Sequence, residues 1–74
     1  MNINNEHEFR RAKLFFDRKI MVHVSRISGI FTNGLIVEIS PEFFIIKDRF
    51  GGKEIPTWFD ELKKPLEEFK EEGA

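Results

Sequence analysis

The side chains able to do chemistry in this chain are few. There is no cysteine, so disulfides and thiolate metal sites are excluded. The two histidines, His7 and His23, fall in different predicted elements. Neither has ligand spacing to the other or to a carboxylate, so no metal and no cofactor is expected. His23 reads as an exposed strand residue. Ser25, Ser28 and Ser40 each have a strand or turn explanation, and none sits in a nucleophile-elbow pattern. The adjacent carboxylates Glu67-Glu68 and Glu71-Glu72 belong to a solvated tail. Gly51-Gly52-Lys53 is not a phosphate-binding loop, because no Ser or Thr follows the lysine into a helix. A chain of 74 residues offers little concave volume for a substrate. The expectation is a protein that is not an enzyme.

Binding residues are better represented. Arg10, Arg11 and Lys13 lie near Phe9 and Phe16 and can contact phosphates; the alternative is a solvated outer helix face. Arg49-Phe50 is a cation–aromatic pair at a predicted hairpin tip, of the kind that stacks on a base. The alternative there is that Phe50 folds back onto the core. Trp58-Phe59 follows Pro56, and exposed aromatics of this size are interface-prone. Phe43 opens a run that is apolar on both faces. The candidate nucleic-acid contacts are therefore Arg10, Arg11, Lys13, Arg49 and Phe50, and the candidate interface residues are Phe43, Trp58 and Phe59. A groove for proline-rich peptides needs several tyrosines or tryptophans. This chain has no tyrosine and one tryptophan.

Net charge is −1, which gives no global attraction to nucleic acid. Residues 1–37 carry six basic and three acidic side chains, and residues 38–74 carry six basic and ten acidic. Such a split steers a partner or simply reflects solvated faces. The length is that of one domain close to the margin of independent stability. Nine phenylalanines and one tryptophan supply large apolar area per residue. Self-association would add more, and a homo-oligomer is expected. No run of 18 or more apolar residues exists, and the first residues have no apolar signal core. A soluble, cytoplasmic protein is expected, with no membrane partner.

The elements that must position these residues follow from periodicity. Met1–Asn5 reads as a loose end, with Asn4 or Asn5 capping a helix that runs to about residue 18. Phe9, Ala12 and Phe16 fall on one face of that helix. A first strand spans roughly Lys19–Ile27, with Ile20, Val22 and Val24 as the core parity. Ser28-Gly29 turns the chain. A second strand spans Ile30–Ile39, where Phe31, Leu35, Val37 and Ile39 share one parity and Asn33 is the polar exception. Gly34 marks a bulge, a bend or the close approach of another backbone. Ser40-Pro41-Glu42 is a turn, Phe43–Asp48 a third strand, and Gly51-Gly52 a tight reversal. A short fourth strand, Lys53–Pro56, is ended by Pro56. Thr57 then caps a short helical turn over Trp58–Leu62, and a closing strand lies around Pro65–Lys70. A helix through residues 62–70 is the competing reading, against which Pro65 objects. Residues 71–74 fray.

This order resembles the Sm-like small barrels, and more loosely the SH3-like barrels. The resemblance rests on Ile20–Val24, Gly29–Ile36 and Phe43–Asp48, with Gly34 and Asp48 at the places of the strand-two glycine and the strand-three acid. It implies a mostly β fold: a small five-stranded antiparallel bent barrel with an N-terminal α-helix and a short helical turn before the last strand. It also implies a binding scaffold that self-associates, pairing strand four of one subunit with strand five of the next, and a link to RNA. The alternative is a monomeric SH3-like adaptor with a protein partner. Uridine-binding Sm-like proteins carry an Asp-x-Met-Asn-type loop and an Arg-Gly or Lys-Gly step. Here those places hold Ser40-Pro41-Glu42-Phe43 and Ile55-Pro56-Thr57-Trp58, so no RNA-contact residue is carried over from the family.

Overall fold

The structure is a computed structural model and describes residues 3–70. Helix α1 spans Ile3–Arg18. It begins earlier than Asn4 or Asn5 could cap it, and the absence of Gly and Pro lets it run unbroken. Its end is a left-handed cap at Lys19, where φ is 55°. The Lys19 N–H donates to the Phe16 carbonyl and the Ile20 N–H to the Phe15 carbonyl, at 3.2 and 3.0 Å. This is the paired bonding of a Schellman cap, with lysine where glycine is usual. The buried stripe centres on Ala12, as the spacing predicts, but Phe15 is the deeply buried ring, while Phe9 and Phe16 pack half-buried at the flank.

Five antiparallel strands form one bent sheet in the order β4-β3-β2-β1-β5. They are β1 Val22–Ser25, β2 Phe31–Ile39, β3 Phe43–Asp48, β4 Glu54–Trp58 and β5 Glu67–Glu68, with a 3₁₀ turn at Phe59–Glu61. Strand count, sense, bend, helix and turn are those the sequence predicts, but the sheet does not close between β4 and β5. Val22 and Val24 face inward as expected, joined by Ile36, Phe44, Ile46, Phe59 and Leu66. On β2 the inward parity is Thr32, Gly34 and Ile36, while the more apolar parity of Phe31, Leu35 and Val37 faces out. The register shifts between Ile36 and Glu38, so the bulge lies beyond Gly34. Gly34 has a different duty. A Cβ there would lie 2.0 Å from the Lys47 carbonyl oxygen, so only glycine lets β2 and β3 approach so closely.

Pro56 does not end β4. Phe59 donates to the Glu42 carbonyl and Asp48 to the Lys53 carbonyl. Antiparallel alternation then directs the backbone groups of Glu54, Pro56 and Trp58 away from β3, toward the open edge. The missing N–H of Pro56 therefore costs no ladder bond. The Trp58 N–H is also occupied, donating to Glu61 Oε1 at 3.1 Å. The helical turn is thus capped one residue later than the sequence suggests, and Thr57 is a buried strand residue instead. An edge lacking one donor and holding another offers an incomplete template for a further strand.

The chain end pairs with β1 in two pieces. Ile27 donates to Glu61 and Lys63 to Ser25; then Phe69 donates to Met21. Between them the backbone bulges at Pro65 and inserts Leu66, fully buried, into the core. Helix α1 holds this bulge from outside: Arg11 Nε donates to the Leu66 carbonyl at 2.6 Å, and the Leu66 N–H donates to Glu8 Oε2 at 3.2 Å. Glu8 and Arg11 are one turn apart, so two side chains satisfy both polar groups of a buried residue.

Two backbone substitutions should move stability in opposite directions. Gly34→Ala should destabilise by about 3 kcal/mol through backbone displacement. Lys19→Gly should stabilise by about 1 kcal/mol by relieving the left-handed conformation. Urea unfolding midpoints at constant slope check both.

Candidate functional site

The outer face of β1 and β2 carries a cluster that the sequence does not announce. Ser25 stands opposite Phe31, and His23 opposite Asn33, in the antiparallel register. His23 Nδ1 lies 2.5 Å from Asn33 Oδ1, and His23 Nε2 lies 3.3 Å from Ser25 Oγ. An amide oxygen only accepts, so Nδ1 carries the proton and Nε2 accepts from the serine hydroxyl. The imidazole also lies against Phe31, with centroids 5.6 Å apart. His23 is therefore half-buried and fixed on three sides, not a free exposed strand residue.

The cluster continues into the β3–β4 hairpin. The Arg49 N–H donates to the Asn33 carbonyl at 2.9 Å. The Arg49 guanidinium lies 4.7 Å from the ring centroids of both Phe50 and Phe69. Gly51 and Gly52 have φ of 93° and 71°, the left-handed values the reversal was expected to need. Phe50 does not fold back onto the core; it is 71% exposed, and Phe31 is 64% exposed. From Phe31 through His23 and Asn33 to Arg49, Phe50 and Phe69, one face alternates flat rings with polar and cationic groups. Rings presented this way are stacking surfaces for other flat rings, and the Arg49 cation favours anionic ligands, while Glu67 stands opposite His23 on β5.

The other predicted contacts are committed elsewhere. Arg10 pairs with Glu6 at 3.0 Å and Lys13 with Asp17 at 3.7 Å, both on the exposed side of α1. Arg11 holds Leu66 and lies over the Phe15 ring at 5.2 Å. The basic trio of the helix is thus two surface ion pairs and one structural clamp. Of the expected interface residues, Phe43 and Trp58 meet on the outer face with centroids 5.4 Å apart, and Trp58 is 47% exposed. Phe59 is not at the surface. It is 3% exposed and packs on Phe44 and Phe9 in the core, which corrects its assignment as an interface residue. The strand continuing through Pro56 explains the difference, because it carries Thr57 and Phe59 inward.

Behind this face lies Arg26, 7% exposed. Its Nη1 donates to Thr32 Oγ1 at 2.8 Å and its Nη2 to Thr57 Oγ1 at 2.5 Å. β1 and β4 are not neighbours in the sheet, so this guanidinium joins strands across the interior of the bend. Burial pushes the arginine pKa down by removing water from the charge, and Glu61 opposes the shift. Sequence reasoning passed over Arg26 because one basic residue at a strand end carries no signal of burial. Lys63, Lys64 and Phe69 were passed over because the register that returns them to β1 depends on the Leu66 bulge.

The Ser25–His23–Asn33 order matches nucleophile, base and orienting group. The backbone donors beside Ser25 are nevertheless occupied: Lys63 N–H by the Ser25 carbonyl and Arg26 N–H by the Ile30 carbonyl. They provide no oxyanion hole. Among the described residues no cluster of three His, Cys, Asp or Glu can hold a metal, and no helix is long and apolar enough to cross a membrane. Comparison with protein-family models, characterised proteins and solved structures finds no match to this chain.

Thr57→Val keeps shape but removes an acceptor from a buried charge. It should cost about 1–3 kcal/mol. Adding Thr32→Val should give a non-additive loss, because both hydroxyls serve one guanidinium. A double-mutant cycle by chemical denaturation checks the coupling.

Proposed function

We propose that this chain is a non-enzymatic small-barrel binding module that holds single-stranded nucleic acid on the outer face of β1, β2 and the β3–β4 hairpin. The observation that carries this reading is the Arg49 guanidinium lying 4.7 Å from the centroids of both Phe50 and Phe69, continuous through Asn33 with the His23–Phe31 pair. Exposed rings accept bases of any sequence by stacking, worth about 1–3 kcal/mol per base, while nearby cations follow the backbone. The strand order and the N-terminal helix support the Sm-like resemblance, which favours RNA over DNA. The basic residues of α1 belong to the helix and not to this cluster.

A second reading has its own observation. The Phe43–Trp58 pair leaves a large aromatic half-exposed beside the β4 edge. That patch suits a protein partner or a second copy docking face-on, as in an SH3-like adaptor. Strand-to-strand ring assembly through β4 fits less well, because Pro56 and Glu61 blunt the edge. Light scattering separates these: a mass of 8.8 kDa supports the adaptor, and a multiple supports self-association.

The main reading is tested by fluorescence anisotropy with a labelled oligouridylate over a salt series. With roughly two or three phosphates contacted, the slope of log affinity on log salt should be about −1.5 to −2. Phe50→Ala and Arg49→Glu should each weaken binding by about tenfold or more. Arg10→Glu with Lys13→Glu should change it by less than about twofold beyond the effect of net charge. No binding at low salt, or loss with the helix variant alone, would contradict the reading.

A further inference from the structure

Beside the stacking face, a cleft of about 190 Å³ opens between the β1–β2 turn and the segment after the 3₁₀ turn. Ser25, Arg26, Ile30, Phe31, Lys63 and Lys64 line it. With Gly29 the lining is seven residues, three of them cations, in a chain whose net charge is −1. Lys64 is shared with Glu67 at 3.6 Å on the exposed surface. The two hydrogen bonds of the Arg26 guanidinium go to neutral threonine hydroxyls, and Glu61 acts on it as a nearby charge. Arg26 thus already has one counter-charge in Glu61, and an anion in the cleft would add to it against the cost of burial.

We infer that this cleft seats a phosphate group, with Lys63 and Lys64 supplying the charge and the buried Arg26 adding to the positive field behind them. The site stands on the cleft itself, and it rests on the nucleic-acid reading only for the source of the phosphate. A phosphodiester of a strand crossing the face and a free or terminal phosphate share the chemistry. Phe31 belongs to both the cleft and the stacking face, so a base on its ring would place the adjoining phosphate here.

The test titrates the full chain with inorganic phosphate at constant ionic strength, against chloride, and follows the backbone amide resonances of Ser25, Arg26, Lys63 and Lys64. The same titration is then made with oligouridylate bearing or lacking a 5′-phosphate. Saturable phosphate shifts at these amides are expected, weakened about tenfold or more by Lys63→Glu with Lys64→Glu, which are exposed and leave the fold intact. Arg10→Glu with Lys13→Glu imposes the same change of net charge away from the cleft and should leave the affinity within about twofold. If the 5′-phosphate strengthens oligonucleotide binding, a terminal phosphate is the source; equal binding that moves these amides points to a phosphodiester. Phosphate binding here without any oligonucleotide binding supports the cleft and overturns the nucleic-acid reading. Oligonucleotide binding that leaves these amides and the lysine variant unaffected overturns the cleft alone. Shifts that chloride reproduces overturn it as well.

Discussion

The buried Arg26 guanidinium is the constraint on which the rest of the molecule depends. The sheet bends without closing, so backbone hydrogen bonds alone do not fix how tightly it curls. Arg26 does so by joining its own strand end to Thr32 on β2 and Thr57 on β4. That cross-link holds the two sides of the bend together over a core of Phe44, Ile46, Val22, Val24 and Leu66. Breaking one side of such a contact leaves a buried charge short of a partner, which is far worse than removing the contact entirely. The bend, in turn, sets which rings project from the outer face.

The second constraint is the return of the chain end. β5 is two residues long and is held less by its own ladder than by what precedes it. Leu66 plugs the core, and Glu8 and Arg11 of α1 bind its backbone. The helix thus has two duties: it covers the open side of the core with Ala12 and Phe15, and it fixes the bulge that sends Phe69 back beside Arg49. Residues near the N-terminus therefore set the position of a ring on the candidate binding face, without touching a ligand.

Much of the fold was legible because local chemistry and tertiary structure agree. Phe43–Asp48 is bounded by a proline turn and an Asp-to-Gly-Gly hairpin, and it is found with those bounds. Val22 and Val24 alternate cleanly and point inward. Gly34 was legible as a place of close approach, though its neighbour proved to be the Lys47 backbone and the register break came later. Pro56 was misread because proline ends a strand only where its nitrogen faces a partner, and which way it faces follows from pairing that sequence does not reveal. On β2 the buried threonine and glycine run against hydrophobicity. Thr32 is inside because Arg26 needs an acceptor, and Phe31 is outside because its parity follows. The candidate site was legible at Arg49-Phe50, which are adjacent in sequence. Its remainder was not, because His23, Asn33 and Phe69 meet only through strand register.

An aromatic face proposed to stack bases, a cleft lined by lysines and an edge blunted by proline are arranged on one small scaffold. The face and cleft share Phe31, whereas the β4 edge and its Trp58 stand at the far side of the sheet order. A ligand on the face should therefore leave Trp58 in its own surroundings. The most direct measurement is a comparison of Trp58 fluorescence with the amide spectrum while a single-stranded oligouridylate is added to the isotopically labelled protein. Shifts concentrated at Phe31, Asn33, Arg49, Phe50 and Phe69, with Trp58 emission unchanged, are the result the nucleic-acid proposal predicts. Shifts centred on Trp58 or on the outer side of α1, or none at all, would contradict it.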